Sequence, residues 1–398
     1  MLAKLIKGIY GLYSISGILK MKCIDQMKRE RINYLDTLRV IACFLVVLCH
    51  VGDFYVGNGT DEFSIIWSKY ITFTRPCVPL FILLSGTLLL PLKRETGAFL
   101  KHRFFRVVIP FLVWSVLYVF LPLPGKIVFG GPANVFTGNM NIYSYNLMMI
   151  PLNFTASNVH FWFMYTIIGL YLFMPIISPW IKGASKKDLI FFLCIWVVTL
   201  FYPYIRFWFP QIQGECDWNS YGMLFYFNGY LGYLIMGIFL HHYNKLSAKK
   251  SCLLGVLLFI AGYYITYKGL WIDIGRMNSQ HVSEVNAEGW KIIETRIGYL
   301  TINVAMMTAG LFLFFQKLKL SKTVTGVIAE ISKLSYGLFL IHYILHLWIT
   351  SKLSVVFTIN PKIDELLLAV IIFIASYVVA KALSYLPKAK YIVGYSSR

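Results

Sequence analysis

Apolar residues form runs of about twenty along most of the chain, and short polar segments separate the runs. An α-helix needs a run of about this length to cross the ~30 Å hydrocarbon core of a bilayer. Inside lipid the backbone must satisfy its own hydrogen bonds, so these runs predict helices. We therefore predict an all-α, polytopic transmembrane helical bundle with about ten membrane-spanning helices. The predicted spans are 37–56, 70–90, 104–122, 160–180, 188–207, 221–241, 251–271, 294–316, 332–352 and 365–386.

The basic residues give this bundle an orientation. Lys and Arg concentrate in every second connection between predicted spans, as in Lys93–Arg94, Lys186–Lys187 and Lys249–Lys250, and the alternate connections are more acidic. Connections rich in Lys and Arg face the cytoplasm in membrane proteins. We therefore expect a multi-pass protein with both termini in the cytoplasm.

The two ends of the chain are predicted to lie outside the membrane domain, 33–390. In the cytoplasmic N-terminal segment, 1–32, Lys4 and Lys7 alternate with apolar residues in a pattern typical of an amphipathic helix lying in the membrane plane. Residues 391–398 are predicted to be a cytoplasmic tail.

Composition agrees with the pattern and excludes other classes of protein. The chain of 398 residues is 58% hydrophobic and only 14% charged, which is too little charge to cover the surface of a soluble domain of this length. A net charge of +20 resembles that of a nucleic-acid-binding protein. The charge lies in short clusters between apolar runs, however, which fits contact with an anionic membrane leaflet instead. The cysteines are scattered, with no spacing that indicates a metal site.

Two ionisable residues share one face of the first span. Arg39 and His50 are eleven positions apart, so at ~100° per residue they differ by only about 20° around the helix, with His50 about 16 Å deeper. Ionisable groups within a span are costly and need a reason. One explanation is that both residues line the same cleft. A snorkelling arginine plus a histidine bonded to a neighbouring helix is the other.

The third span opens on a second basic motif, with Arg103 and Arg106 at i and i+3 on one side of the helix. Guanidinium groups bind phosphates bidentately, so this pair is a candidate phosphate site at the cytoplasmic boundary. An ordinary positive-inside anchor explains the pair equally well.

Two later spans also carry polar residues. His160 and Trp162 open the fourth span, where an aromatic belt, a helix cap or a substrate contact would each explain them. In the ninth span Ser335, Tyr336 and His342 lie among apolar residues, and His346 extends the stripe by one turn. A polar stripe in such a span normally faces the interior of the bundle.

Taken together, these motifs resemble the acyltransferase type 3 family of membrane enzymes, whose members O-acylate cell-surface glycans. The elements that match, in order, are the Arg39-x10-His50 signature after Tyr34-Leu-Asp36, the Arg103-x-x-Arg106 signature, the segment from His160-x-Trp162, and the segment from Tyr336-Gly to Ile341-His342. The resemblance runs from about residue 33 to 386, without the appended hydrolase-like domain that some members carry.

The resemblance implies a bacterial inner-membrane enzyme that transfers an acyl group, commonly acetyl, from cytoplasmic acyl-CoA to a hydroxyl of a cell-surface or lipid-linked glycan. It implies no permanently bound cofactor and no metal, because the thioester is already activated. Its partners would be acyl-CoA, the glycan acceptor and membrane lipids, with no nucleic acid.

The family match also suggests roles for the marked residues. His50 would act as general base, with Arg39 binding CoA or polarising the thioester carbonyl, and Arg103 and Arg106 would bind the phosphates of CoA. A set of further residues is expected at the substrate site: His160, Trp162, Tyr336 and His342.

Alternatives remain at two levels. His50 could itself carry the acyl group rather than act as base. The competing function is a transporter or flippase for a lipid-linked glycan, with the polar stripe as its path. Against it, no second copy of the Arg39–His50 stripe occurs in spans six to eight.

Overall fold

A computed structural model of the protein describes residues 32–52, 61–121, 142–152, 160–209, 224–279, 296–353 and 361–397. Within these ranges the regular structure is helical, with no strand. The α-helices are α1 (Asn33–Gly52), α2 (Asp61–Thr74), α3 (Cys77–Leu89), α4 (Thr96–Arg103), α5 (Ile109–Phe120), α6 (Ile142–Met149), α7 (Trp162–Gly183), α8 (Lys186–Thr199), α9 (Tyr202–Trp208), α10 (Leu231–Tyr243), α11 (Ala248–Ser279), α12 (Ile302–Lys317), α13 (Lys322–Lys333), α14 (Ser335–Leu353) and α15 (Pro361–Leu383). A π-helix, Phe104–Val108, joins α4 to α5.

The helical membrane bundle is confirmed, but a count of ten spans is not. Within the described ranges, seven helices are long and apolar enough to cross a membrane, or up to eight if the bent pair α13–α14 counts as one. The predicted sixth and eighth spans correspond to α10 and α12, which have 13 and 16 residues. At ~1.5 Å per residue these helices are about 20 and 24 Å long, shorter than the hydrocarbon core.

The outer surface of the bundle is apolar. Ile176, Phe191 and Val378 are more than half exposed, at 69%, 65% and 57%. Large apolar side chains in this number would be unfavourable in water and are expected where lipid covers them.

One predicted span is interrupted by proline, and another is entered at a bend. Helices α2 and α3 meet at Arg75 and Pro76, where proline interrupts the backbone ladder, but Ser68–Leu89 still counts as one spanning helix of 22 residues. Near the predicted ninth span, α13 and α14 meet at Leu334 with a bend of 69°. Only α14 therefore follows the direction of that span, and α13 leads into it at an angle.

Helices α11 and α12 cross in close contact at two glycines. A Cβ atom added to Gly255 would lie 2.6 Å from the carbonyl oxygen of Gly310, and one added to Gly310 would lie 2.5 Å from that of Gly255. Small residues at the crossing let two backbones approach in this way, as is typical of helix packing in membranes.

Helix α1 runs through the interior of the bundle, and most of its residues are buried. Val47, Leu48 and Val51 pack against residues of α14 and α15, including Leu338 and Ile372. The helix that carries Arg39 and His50 is therefore surrounded by protein. The amphipathic helix predicted in the N-terminal segment lies outside the described residues.

Candidate active site

Three histidines from distant parts of the chain meet inside the bundle. The ring of His50, near the end of α1, lies 5.4 Å from that of His342 in α14 and 6.1 Å from that of His160, just before α7. The rings of His160 and His342 are 5.3 Å apart. We call His50, His160 and His342 the histidine cluster. The sequence marked each residue separately, and the fold brings all three together.

The hydrogen bonding within the cluster is incomplete. Nδ1 of His342 bonds the carbonyl oxygen of Phe339 at 2.6 Å, so Nδ1 carries the proton. Nε2 of His342 and both ring nitrogens of His160 are buried without a hydrogen-bond partner among the described residues. A buried polar group left unpaired costs about 1–3 kcal/mol. Such groups are expected where a substrate or a transferred proton supplies the missing partner.

Exposure distinguishes His50 from its neighbours. His160 and His342 are 1% and 0% exposed, whereas His50 is partly exposed. His50 is therefore the member of the cluster that an incoming molecule reaches first.

Two tyrosines complete the walls of the cluster, and sequence reasoning missed both. Tyr343 stacks on His160, with ring centres 4.6 Å apart, and its ring lies 5.4 Å from that of His50. Tyr118 of α5 lies 5.2 Å from His160, and its hydroxyl donates to the carbonyl of Leu340 at 3.1 Å. A signal for Tyr118 was available, because a hydroxyl within an apolar span must find a partner in the protein.

Arg39 lies at the other end of the α1 stripe and is held by two polar side chains. Its Nη1 donates to Oγ of Ser332 at 3.0 Å and to Oδ1 of Asp36 at 3.3 Å. The hydroxyl of Ser332 donates in turn to Asp36 at 2.5 Å. Asp36 therefore orients Arg39, and the end of α13 contributes the serine that completes the network.

Arg103 and Arg106 lie at the junction between α4 and the π-helix. The guanidinium of Arg103 lies over the rings of Tyr171 and Phe99, at 5.2 and 5.5 Å. Arg106 is exposed, and it is close enough to Arg39 and Arg103 for their charges to interact. The structure thus brings three guanidinium groups into one neighbourhood. π-helical turns often mark functional sites.

Two predicted substrate residues, Trp162 and Tyr336, make their contacts outside the histidine cluster. Trp162 stacks on Tyr299, with ring centres 5.5 Å apart, and the guanidinium of Arg75 lies 5.1 Å from the centre of the same tyrosine ring. The hydroxyl of Tyr336 donates to the carbonyl of Val107 in the π-helix at 2.6 Å. Substrate contacts for Trp162 and Tyr336 stay predictions.

The arrangement suits chemistry on an anionic, extended molecule. Along α1 the arginine end and the histidine end are about 16 Å apart. The arginine end offers cations for phosphate groups, and the histidine end offers an imidazole for a proton. Within the described residues, no group of three or more His, Cys, Asp or Glu side chains is arranged to hold a metal ion.

Comparison with known proteins identifies a family. The model of the acyltransferase 3 family, which is described as an acyltransferase domain, matches residues 32–385. No curated protein and no solved structure matches the chain.

Proposed function

We propose, because the chain belongs to the acyltransferase 3 family, that this membrane acyltransferase takes an acyl group, normally acetyl, from cytoplasmic acyl-CoA and transfers it to a hydroxyl of a cell-surface or lipid-linked glycan. The observation that carries the proposal is the α1 stripe, which ends on Arg39 near the arginine pair and on His50 within the histidine cluster. Each end suits one part of an acyl-CoA molecule.

The donor would bind with its phosphates at the arginines. Arg103 and Arg106 supply guanidinium groups for bidentate contacts, and Arg39 adds a third cation that Asp36 and Ser332 hold in place. CoA carries its thioester at the end of a long pantetheine arm. A donor anchored at the arginines can therefore extend along α1 toward His50.

The transfer step needs a base and no external activation. A ring nitrogen of His50 takes the proton of the acceptor hydroxyl while the hydroxyl oxygen attacks the thioester carbonyl carbon. The carbon–sulfur bond then breaks, and the CoA thiolate takes the proton from the His50 imidazolium. The products are the O-acyl glycan and free CoA. The unpaired ring nitrogens of His160 and His342 would bind the acceptor hydroxyls beside His50.

His50 acting as acyl carrier is the second form of this mechanism. The imidazole would attack the thioester, release CoA and pass the acyl group to the acceptor in a later step. Labelled acetyl retained on the protein when acceptor is omitted would favour the carrier over the base.

The location that fits this function is the bacterial inner membrane, with both termini and the donor site on the cytoplasmic side. The Lys-rich and Arg-rich connections support this orientation.

The test follows radiolabelled acetyl-CoA with purified protein in lipid nanodiscs. We expect the wild type to release CoA, and His50→Ala to lose this activity while still binding CoA. We expect Arg103→Ala to weaken CoA binding. His242→Ala and Lys249→Ala, at exposed positions away from the site, are the matched controls and should behave as wild type.

One outcome would reject the proposed acyltransferase activity. If the wild type neither binds nor turns over any acyl-CoA, with or without glycan acceptors, the transporter or flippase becomes the better explanation. The arginine pair would then be a positive-inside anchor.

A further inference from the structure

The last described residues fold back onto the bundle instead of leaving it. After α15 ends at Leu383, the chain makes a closed loop in which the backbone N–H of Ser397 donates to the carbonyl of Ser384 at 3.0 Å. The two serine hydroxyls are also hydrogen-bonded, at 2.7 Å. We call residues 384–397 the C-terminal strap. Its last part was predicted to be a cytoplasmic tail.

The strap contacts α5 at one point and the π-helix at another. The indole N–H of Trp114 in α5 donates to the carbonyl of Ile392 at 2.8 Å. The ring of Tyr391 lies 6.1 Å from that of Phe105, the residue that precedes Arg106. Val393 is fully buried.

Gly394 brings the strap against the backbone of Arg106. Its φ of +70° lies in the left-handed region that favours glycine. A Cβ atom added there would lie 2.6 Å from the ring of Tyr336 and 3.1 Å from the carbonyl oxygen of Arg106. Any larger residue would therefore displace the strap, Tyr336 or the π-helix, and Tyr336 is itself bonded to that π-helix through Val107.

Gly394 therefore places the strap against the backbone of Arg106, and Tyr171 of α7 lies over the other member of the pair, Arg103.

We infer that the C-terminal strap is part of the donor site, where it holds Arg106 in position to bind the phosphate groups of acyl-CoA, with Gly394 as a positioning residue. The strap begins at the edge of the matched family region, which ends at residue 385. The family match therefore does not supply this role. The inference rests on the proposed function, because it assigns the arginine pair to the phosphates of CoA.

The experiment compares two donors. Acetyl-CoA carries the nucleotide phosphates, and acetyl-pantetheine has the same thioester without them. For Tyr391→Ala and Gly394→Ala, which loosen the strap at Phe105 and at Arg106, we expect KM for acetyl-CoA to rise about tenfold, the size of effect expected when one contact between a charged residue and the donor is weakened. Their kcat with acetyl-CoA, and both constants with acetyl-pantetheine, should stay within about twofold of wild type.

Gly97→Ala is the matched control, because a Cβ atom at Gly97 in α4 would meet no atom within 4 Å. This variant should behave as wild type with both donors. Tyr391→Ala keeps the test valid if Gly394→Ala does not fold, since it removes only the ring that lies against Phe105.

The failures can be told apart. Variants that lose activity equally with both donors, or that keep the wild-type KM for acetyl-CoA, would overturn the inference and leave the proposed function standing. A wild type that uses neither donor would overturn the proposed function and the inference with it.

Discussion

At the scale of single residues, hydrogen bonding and exposure give the histidines of the cluster different roles. His342 is fixed at Nδ1 by the carbonyl of Phe339, which leaves Nε2 as an acceptor that the described residues do not fill. His50 is partly exposed and lies beside it. A fixed, buried imidazole next to a reachable one suits binding of one acceptor hydroxyl by Nε2 of His342 and removal of the proton of a neighbouring hydroxyl by His50.

We predict that His342→Ala lowers kcat about a hundredfold, because an acceptor displaced by about 1 Å from His50 reacts roughly that much more slowly. KM for acetyl-CoA should stay near the wild-type value, because His342 lies far from the arginines. Steady-state kinetics with varied donor at saturating acceptor measures both constants. His242→Ala is the control. Unchanged kcat in His342→Ala would remove this histidine from the reaction.

At the scale of elements, the bend between α13 and α14 connects two parts of the site. Ser332 at the end of α13 joins Asp36 and Arg39 of α1, residues almost three hundred positions away in sequence. Ser332 is 2% exposed, so water has little access to replace its hydroxyl. The end of α13 therefore helps to fix where Arg39 is held.

We predict that Ser332→Ala lowers kcat/KM for acetyl-CoA about tenfold, because a hydrogen bond to a charged group contributes about 1.5–3 kcal/mol. Initial rates at low acetyl-CoA concentration give this ratio directly. Thr323→Ala, at an exposed position on the same helix, should leave the ratio unchanged. A wild-type ratio in Ser332→Ala would mean that Asp36 alone suffices to orient Arg39.

The helices also show which features of the site could be predicted from the sequence. The Arg39–His50 stripe was predictable because both residues lie on one uninterrupted helix, where spacing fixes direction. The meeting of His50 with His160 and His342 was not, because it depends on how α1, α7 and α14 pack. The π-helix at Phe104–Val108 was also missed, since periodicity does not distinguish it from an α-helical turn.

At the scale of the whole molecule, the number of spans and the orientation depend on each other. Basic connections alternate with acidic ones as expected for ten spans, yet α10 and α12 are too short to cross a hydrocarbon core of average thickness. Glycines let α10 pack against α3, so it is held by protein on that side rather than by lipid. A short helix surrounded by protein can still connect the two sides where the bilayer thins around it.

We predict that α10 does connect the two sides, and that its C-terminal end faces the cytoplasm. Leu224 precedes α10, Lys249 follows it, and both are exposed. In a background with the native cysteines replaced, a membrane-impermeant maleimide should label Leu224→Cys in intact cells. It should label Lys249→Cys only after permeabilisation. Lys93→Cys, in an earlier basic connection, is the control and should label as Lys249→Cys does. If both positions flanking α10 label from the same side, α10 does not cross. The donor and acceptor sites would then have to be reassigned between the two faces of the membrane.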